Sequence, residues 1–229
     1  MPPPRLRVLV LWAVAAGLLG LSVTGCVRLL EPRASDATYY LLGDAPQPDA
    51  RPNDESPTDT TGLTVGLRQP RLAAYLDATR IVTRRGPHEI QFSEFHRWGE
   101  DLDRGIGRRV ATGLEAQPGI RSAEVVPWSP GATFDFILQL HVLRFEGVGP
   151  PIDPEADEDD PPPKGHSRVV VQWTLLHPED ETVLARHTTR HEESGWSVTN
   201  YSALVSRLGT SLDVVVDDIT TRLQQMDRS

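Results

Sequence analysis

At the C-terminal end of the chain, Tyr201, Leu204, Val205, Leu208, Leu212, Val215, Ile219, Leu223 and Met226 recur at spacings of three and four. That stripe predicts one long amphipathic helix, with Asn200 placed to cap its start. A helix of this kind has to cover its apolar stripe, and the covering surface is also legible. Within residues 134–145, Phe134, Phe136, Leu138, Leu140 and Val142 share one face of a strand, while Asp135, Gln139 and His141 take the other. Val169, Val171, Trp173 and Leu175 repeat the pattern in residues 168–176, and the turn 177–181 returns the chain as a polar strand, 182–192. The helix's other side holds Arg207, Asp213, Asp217 and Asp218. An acidic face is unsuited to anionic headgroups, so packing onto a sheet is expected rather than insertion into lipid.

The remaining segments extend this frame. Leu63, Val65 and Leu67 form a half-buried strand ending at Pro70, and residues 80–84 and 89–92 flank a turn at 85–88 as a hairpin. Residues 98–117 read as a helix with Leu102, Ile106, Val110 and Leu114 on one side, stopped by Pro118 and Gly119. Gly105, Gly107 and Gly113 oppose it, each by about 1 kcal/mol relative to alanine. A short strand follows at 123–126, and Thr38 to Leu42 can add an edge strand. Residues 43–62 hold four prolines and almost no large apolar side chain, as a linker or long loop would. A second acidic, proline-rich loop occupies 148–165. The order predicts an α/β fold: a two-layer sandwich in which a mixed β-sheet carries two main helices on one face. The globular domain is expected over 63–228, preceded by the edge strand and linker at 38–62.

The N-terminus fixes the compartment. Arg5 and Arg7 precede an uncharged stretch, 8–23, rich in Leu, Val and Ala. It has secretory-signal form and falls short of the roughly 20 apolar residues of a membrane span. It ends Val23-Thr24-Gly25-Cys26, small residues before a cysteine, as in a bacterial lipobox. Residues 1–25 are then a signal peptide, 26–37 a tether, and Cys26 carries a covalent diacylglycerol and acyl chain. Multiple chains anchor stably where one does not. An ordinary cleaved signal with a chance cysteine, or a signal anchor, is the plainer alternative. Cys26 is the single cysteine, so no intrachain disulfide can form. Removing residues 1–25 takes the 23 bases to 21 against 32 acids, moving the formal charge from -9 to -11. That balance excludes a nucleic-acid partner, which needs a basic footprint. Val27, where an aspartate favours inner-membrane retention in enteric bacteria, points to the outer membrane.

No catalytic constellation appears. Of seven histidines only His187 and His191 have metal-like spacing, and on a strand they stand about 13 Å apart. They read as solvated side chains of a polar hairpin. Nucleophile elbows and zinc helices are missing, and the acids at 153–160 lack the alternating ligands and central glycine of a calcium loop. Glu100, Asp101 and Asp103 fit the first turn of a helix. A non-enzymatic protein without metal or cofactor is therefore expected. Residues 71–77 place Tyr75, Leu76 and Asp77 between two strands, and with Trp98 they form a candidate partner interface. Tyr75 and Trp98 fit equally well as caps of the core.

The lipobox, Tyr39-Tyr40-Leu41-Leu42, the strand ending at Pro70, Tyr75-Leu76-Asp77, Ile81-Val82-Thr83-Arg84 and Trp98-Gly99-Glu100-Asp101-Leu102 together resemble the PqiC-like family, the ABC-type transport auxiliary lipoproteins. Asp101 departs from the proline usual there. The resemblance implies a small α/β sandwich, lipid-anchored at the periplasmic face of the outer membrane. It further implies an MCE-domain tunnel protein with its inner-membrane subunits as partners, and assembly into homo-oligomeric rings. The function implied is that of an accessory of intermembrane lipid transport, tied to membrane integrity. From the residues alone, a lipid-tethered periplasmic hydrolase, or a structural envelope lipoprotein binding cell wall or an outer-membrane barrel, stays open.

Overall fold

The longest alternating segment becomes the spine of the molecule. A computed structural model of the chain describes residues 36–43, 62–150 and 161–227. The signal peptide, Cys26 and most of the two proline-rich segments lie outside the described residues. Strand β7, Phe136–Gly149, is paired along both edges. On one edge, three strands follow one another in parallel register: β2 (Leu63–Leu67), β3 (Arg71–Leu72) and β4 (Arg80–Arg85), opposite Phe136, His141 and Gly147 in turn. On the other, β8 (Lys164–Leu176) runs antiparallel, followed by β9 (Val183–Ser197). The first edge then branches. β2 continues to β6 (Ile120–Val125), whereas β4 continues to β5 (Glu89–Trp98) and to β1 (Thr38–Tyr40).

Two helices cover this mixed nine-stranded sheet. Helix α1, Leu102–Glu115, packs on β6, and α2, Tyr201–Asp227, packs on β7, β8 and β9; the helices also touch each other. The two-layer α/β sandwich expected from the sequence is the fold observed. Leu204, Leu208, Leu212, Val215, Ile219 and Leu223 of the α2 stripe are fully buried. Each contributes about 1.5–3 kcal/mol relative to exposure. Close approach explains two glycines. A Cβ on Gly113 would stand 2.9 Å from Val216, so the residue that weakens α1 as a helix lets α2 lie against it. On β7, a Cβ at Gly147 would stand 2.6 Å from the Trp196 ring.

A β-bulge at Leu143 decides what β7 presents to each face. Pairing with β8 steps from Val142–Val171 to Arg144–Val170, skipping one residue. Leu138, Leu140 and Val142 therefore face the helices, and beyond the bulge so do Phe145 and Gly147. Unbroken alternation would have turned Arg144 and Glu146 into the apolar core; the bulge sends them to the opposite face.

Several boundaries differ from expectation. Strand β5 runs to Trp98 and α1 begins only at Leu102, because Trp98 pairs with Tyr40 of β1 as a strand residue. Residues 71–76, expected as a loop, contain β3 and a single 3₁₀ turn, Ala74–Leu76. β9 reaches Ser197, five residues beyond the expected end. Strand β1 pairs with β5 and so belongs with the rest of the sheet to one unit, which starts at Ala37.

Candidate interaction surface

The four residues singled out around the 3₁₀ turn separate by burial. Leu76 and Trp98 are core side chains, with the Trp98 ring tilted against Phe145 at 6.0 Å between centroids. Trp98 closes β5 on the helix side, so it caps the core and presents no surface to a partner. Tyr75 is half-buried and Asp77 exposed. Together they are the solvent-facing part of the candidate patch.

Beneath Tyr75 lies a charged centre on the face away from the helices. Glu146 is 0% exposed, yet it is ionically matched. Arg84 donates from Nε at 2.6 Å and from Nη2 at 3.3 Å, and Arg144 donates from Nη1 at 3.0 Å. Removal of one partner from such a group strands a buried charge. The Tyr75 hydroxyl donates to the carbonyl of bulged Leu143 at 3.1 Å. Burial, with the nearby Glu146 carboxylate, pushes the Tyr75 phenol up to about 12, so it stays protonated. The hydrogen bond from Arg84 to Glu146 holds that guanidinium above its usual range. This arrangement holds residues 71–76 onto the sheet.

Next to the turn, a cleft of about 400 Å³ separates Asp77 from the start of α1. Two of its acids have structural partners. Glu100 takes both Arg108 terminal nitrogens, at 2.7 and 2.5 Å, and Asp103 accepts from Gln69 at 2.8 Å. They act as helix-start carboxylates, as the sequence suggested.

Two groupings escaped sequence reasoning. The first is a polar seam between β9 and α2. Glu193 pairs with Arg207, His191 Nδ1 lies 3.0 Å from Ser211 Oγ, and Trp173 donates to Thr189, which donates to Asp218 at 2.7 Å. His191 is half-buried on the helix side rather than solvated, since its strand lies over the flank of α2. The visible signal was period two in 189–193 meeting positions 207, 211 and 218 of the helix. Among the described residues no group of His, Cys, Asp or Glu could hold a metal ion. The second grouping joins β1 to the rest: Tyr40 Oη lies 3.0 Å from His96 Nδ1, and the His96 ring stacks on Tyr201 at 3.9 Å. Burial lowers the His96 pKa below its ordinary value.

Residues 40–220 match a family model described as the ABC-type transport auxiliary lipoprotein component. The chain belongs to that family. The match runs from the end of β1 well into α2, so it takes in both layers of the sandwich. Protein XCC0632 from Xanthomonas campestris, assigned to DUF330, is similar at 18% identity, over 84% of this chain and 97% of that one, with a TM-score of 0.59. A second crystal structure, of an uncharacterized protein, is 15% identical over 82% and 98% of the two chains, also at 0.59. At these identities the likeness shows the fold alone. A PelC dodecamer from Paraburkholderia phytofirmans is 16% identical over 66% of this chain and 85% of that one, at a TM-score of 0.36, too low to bear on assembly here. No curated protein matches the chain. As a member of its family, this auxiliary lipoprotein serves ABC-type transport in the cell envelope.

Proposed function

We propose that this auxiliary lipoprotein is a lipid-anchored periplasmic accessory subunit of an MCE/ABC-type intermembrane lipid-transport system. It sits on the periplasmic face of the outer membrane and acts by binding and assembly rather than catalysis. The observation that carries the reading is the family match across the whole sandwich. Two features support it. Cys26 precedes the first strand by twelve positions, so only residues 27–37 separate the anchor from the domain. Glu146 is ion-paired to Arg84 and Arg144, and Glu193 to Arg207 across the β9–α2 seam, as in a scaffold. Docking on an MCE-domain protein and its inner-membrane subunits then uses the outside of a fixed sandwich, and copies of the chain close into a ring.

Affinity purification of tagged full-length protein from gently solubilised envelope, with mass spectrometry of what accompanies it, tests this. An MCE-domain protein with its inner-membrane subunits is the expected company. Recovery of cell-wall fragments or a barrel assembly in their place would overturn the reading, as would a solitary monomer.

A further inference from the structure

The β1–β5 end of the sheet carries an aromatic and cationic patch that the fold does not use. Register places Tyr39 beside Arg97 and Arg97 beside Arg80, so these three share the face away from the helices. The Arg80 guanidinium stands 5.0 Å from the centre of the Phe92 ring. Phe95 lies two residues before Arg97, in the stretch of β5 where the register with β4 shifts between the pairs Arg80–Arg97 and Val82–Phe92. Tyr39 is 59% exposed and Phe95 50%, with Leu41 also exposed beside them. In a chain of formal charge -9, neither Arg80 nor Arg97 forms an ion pair among the described residues, and Arg97 Nε is buried without a hydrogen-bond partner.

The position of the anchor says what covers this patch. β1 is the first strand of the sheet, and only eleven residues separate it from Cys26. A lipid at Cys26 therefore holds Tyr39 within tether reach of the headgroup layer. Tyr and Phe suit that layer, and two guanidiniums with no ion pair among the described residues complement phosphate. We infer that Tyr39, Phe92, Phe95, Arg80 and Arg97 form a membrane-seating patch that lays the β1–β5 edge against an anionic phospholipid surface. The seat sets the orientation of the domain on that surface. This inference rests on the lipid anchor of the proposed function.

Acylated full-length protein in vesicles of phosphatidylethanolamine and phosphatidylglycerol provides the test. Lipidation consumes the single native thiol, so a nitroxide on Phe95→Cys reports the patch and one on Glu179→Cys, in the β8–β9 turn, serves as reference. The label at 95 is expected to collide with lipid-dissolved oxygen and to be shielded from an aqueous nickel chelate, with the reverse at 179. Arg80→Gln with Arg97→Gln should lower the ratio of seated to free domain by about thirtyfold. Equal nickel access at both positions, with Cys26 acylated by intact mass, would overturn the seat and leave the anchor standing. Shielding at 95 from both reagents would place a protein there, overturning it too. An unmodified Cys26 would remove anchor and seat together.

Discussion

Arg80 and Arg84 leave the same face of β4 four residues apart and meet opposite fates. Arg84 runs onto a buried carboxylate, is roofed by Tyr75 and is committed to the fold. Arg80 stacks on an exposed ring next to Arg97 and forms no ion pair among the described residues. The difference traces to β7. Its bulge throws Glu146 onto this face opposite Arg84, whereas β5, the neighbour of Arg80, answers with arginine and phenylalanine. One strand thus holds a structural cation and an uncommitted one, and burial of a counter-charge is what separates them.

The comparison breaks if Glu146 can be removed cheaply. Glu146→Leu strands Arg84 and is expected to cost about 3 kcal/mol in chemical denaturation; a loss near zero would make the centre as dispensable as a surface pair. Gly147→Ala presses a methyl into Trp196 on the opposite face and should cost about 1–3 kcal/mol by the same assay. Tyr75→Phe deletes the bond to Leu143 and is expected to cost about 1 kcal/mol. His96 sharpens the contrast at the β1 end. Its folded pKa lies below the ordinary value of about 6.5, so the unfolded chain binds more protons there, and its contribution is present above that pH and lost as pH falls below it. The decline in melting temperature between pH 7 and 5 should be shallower in His96→Phe. Smallest of all, Arg80→Gln with Arg97→Gln should shift stability by no more than about 0.5 kcal/mol; a loss like that of Glu146→Leu would show these arginines to be structural.

What the sequence disclosed follows from period. The α2 stripe and the alternation in 136–142 and 169–175 are long enough to set layers and sidedness, and both layers stand as read; Phe134, expected on the Leu138 face, precedes β7 and lies with Ile137 over Gly66 on the other. Lost were the features that break period. Nothing local announces the bulge at Leu143, which is set by pairing with Val170 and Val171, so the site of Glu146 could not be seen. Trp98 fitted a helix start because Gly99 to Asp101 separate it from α1 by only three residues; tertiary pairing with β1 decides for strand. The glycines of α1 argued against a helix that close contact with α2 in fact requires. Of the candidate patch, Tyr75 was legible as an aromatic between two strands, but its hold on the bulge was not.

The central claim is that Cys26 sets location while residues 38–227 set the fold, and the most direct test is fractionation of the envelope with intact-mass analysis. Wild-type protein is expected in the outer-membrane fraction, cut before Cys26 and carrying its acyl chains. Cys26→Ser is expected in the soluble periplasm with an unchanged melting temperature. Outer-membrane retention of Cys26→Ser, or a wild-type mass without lipid, would contradict the account.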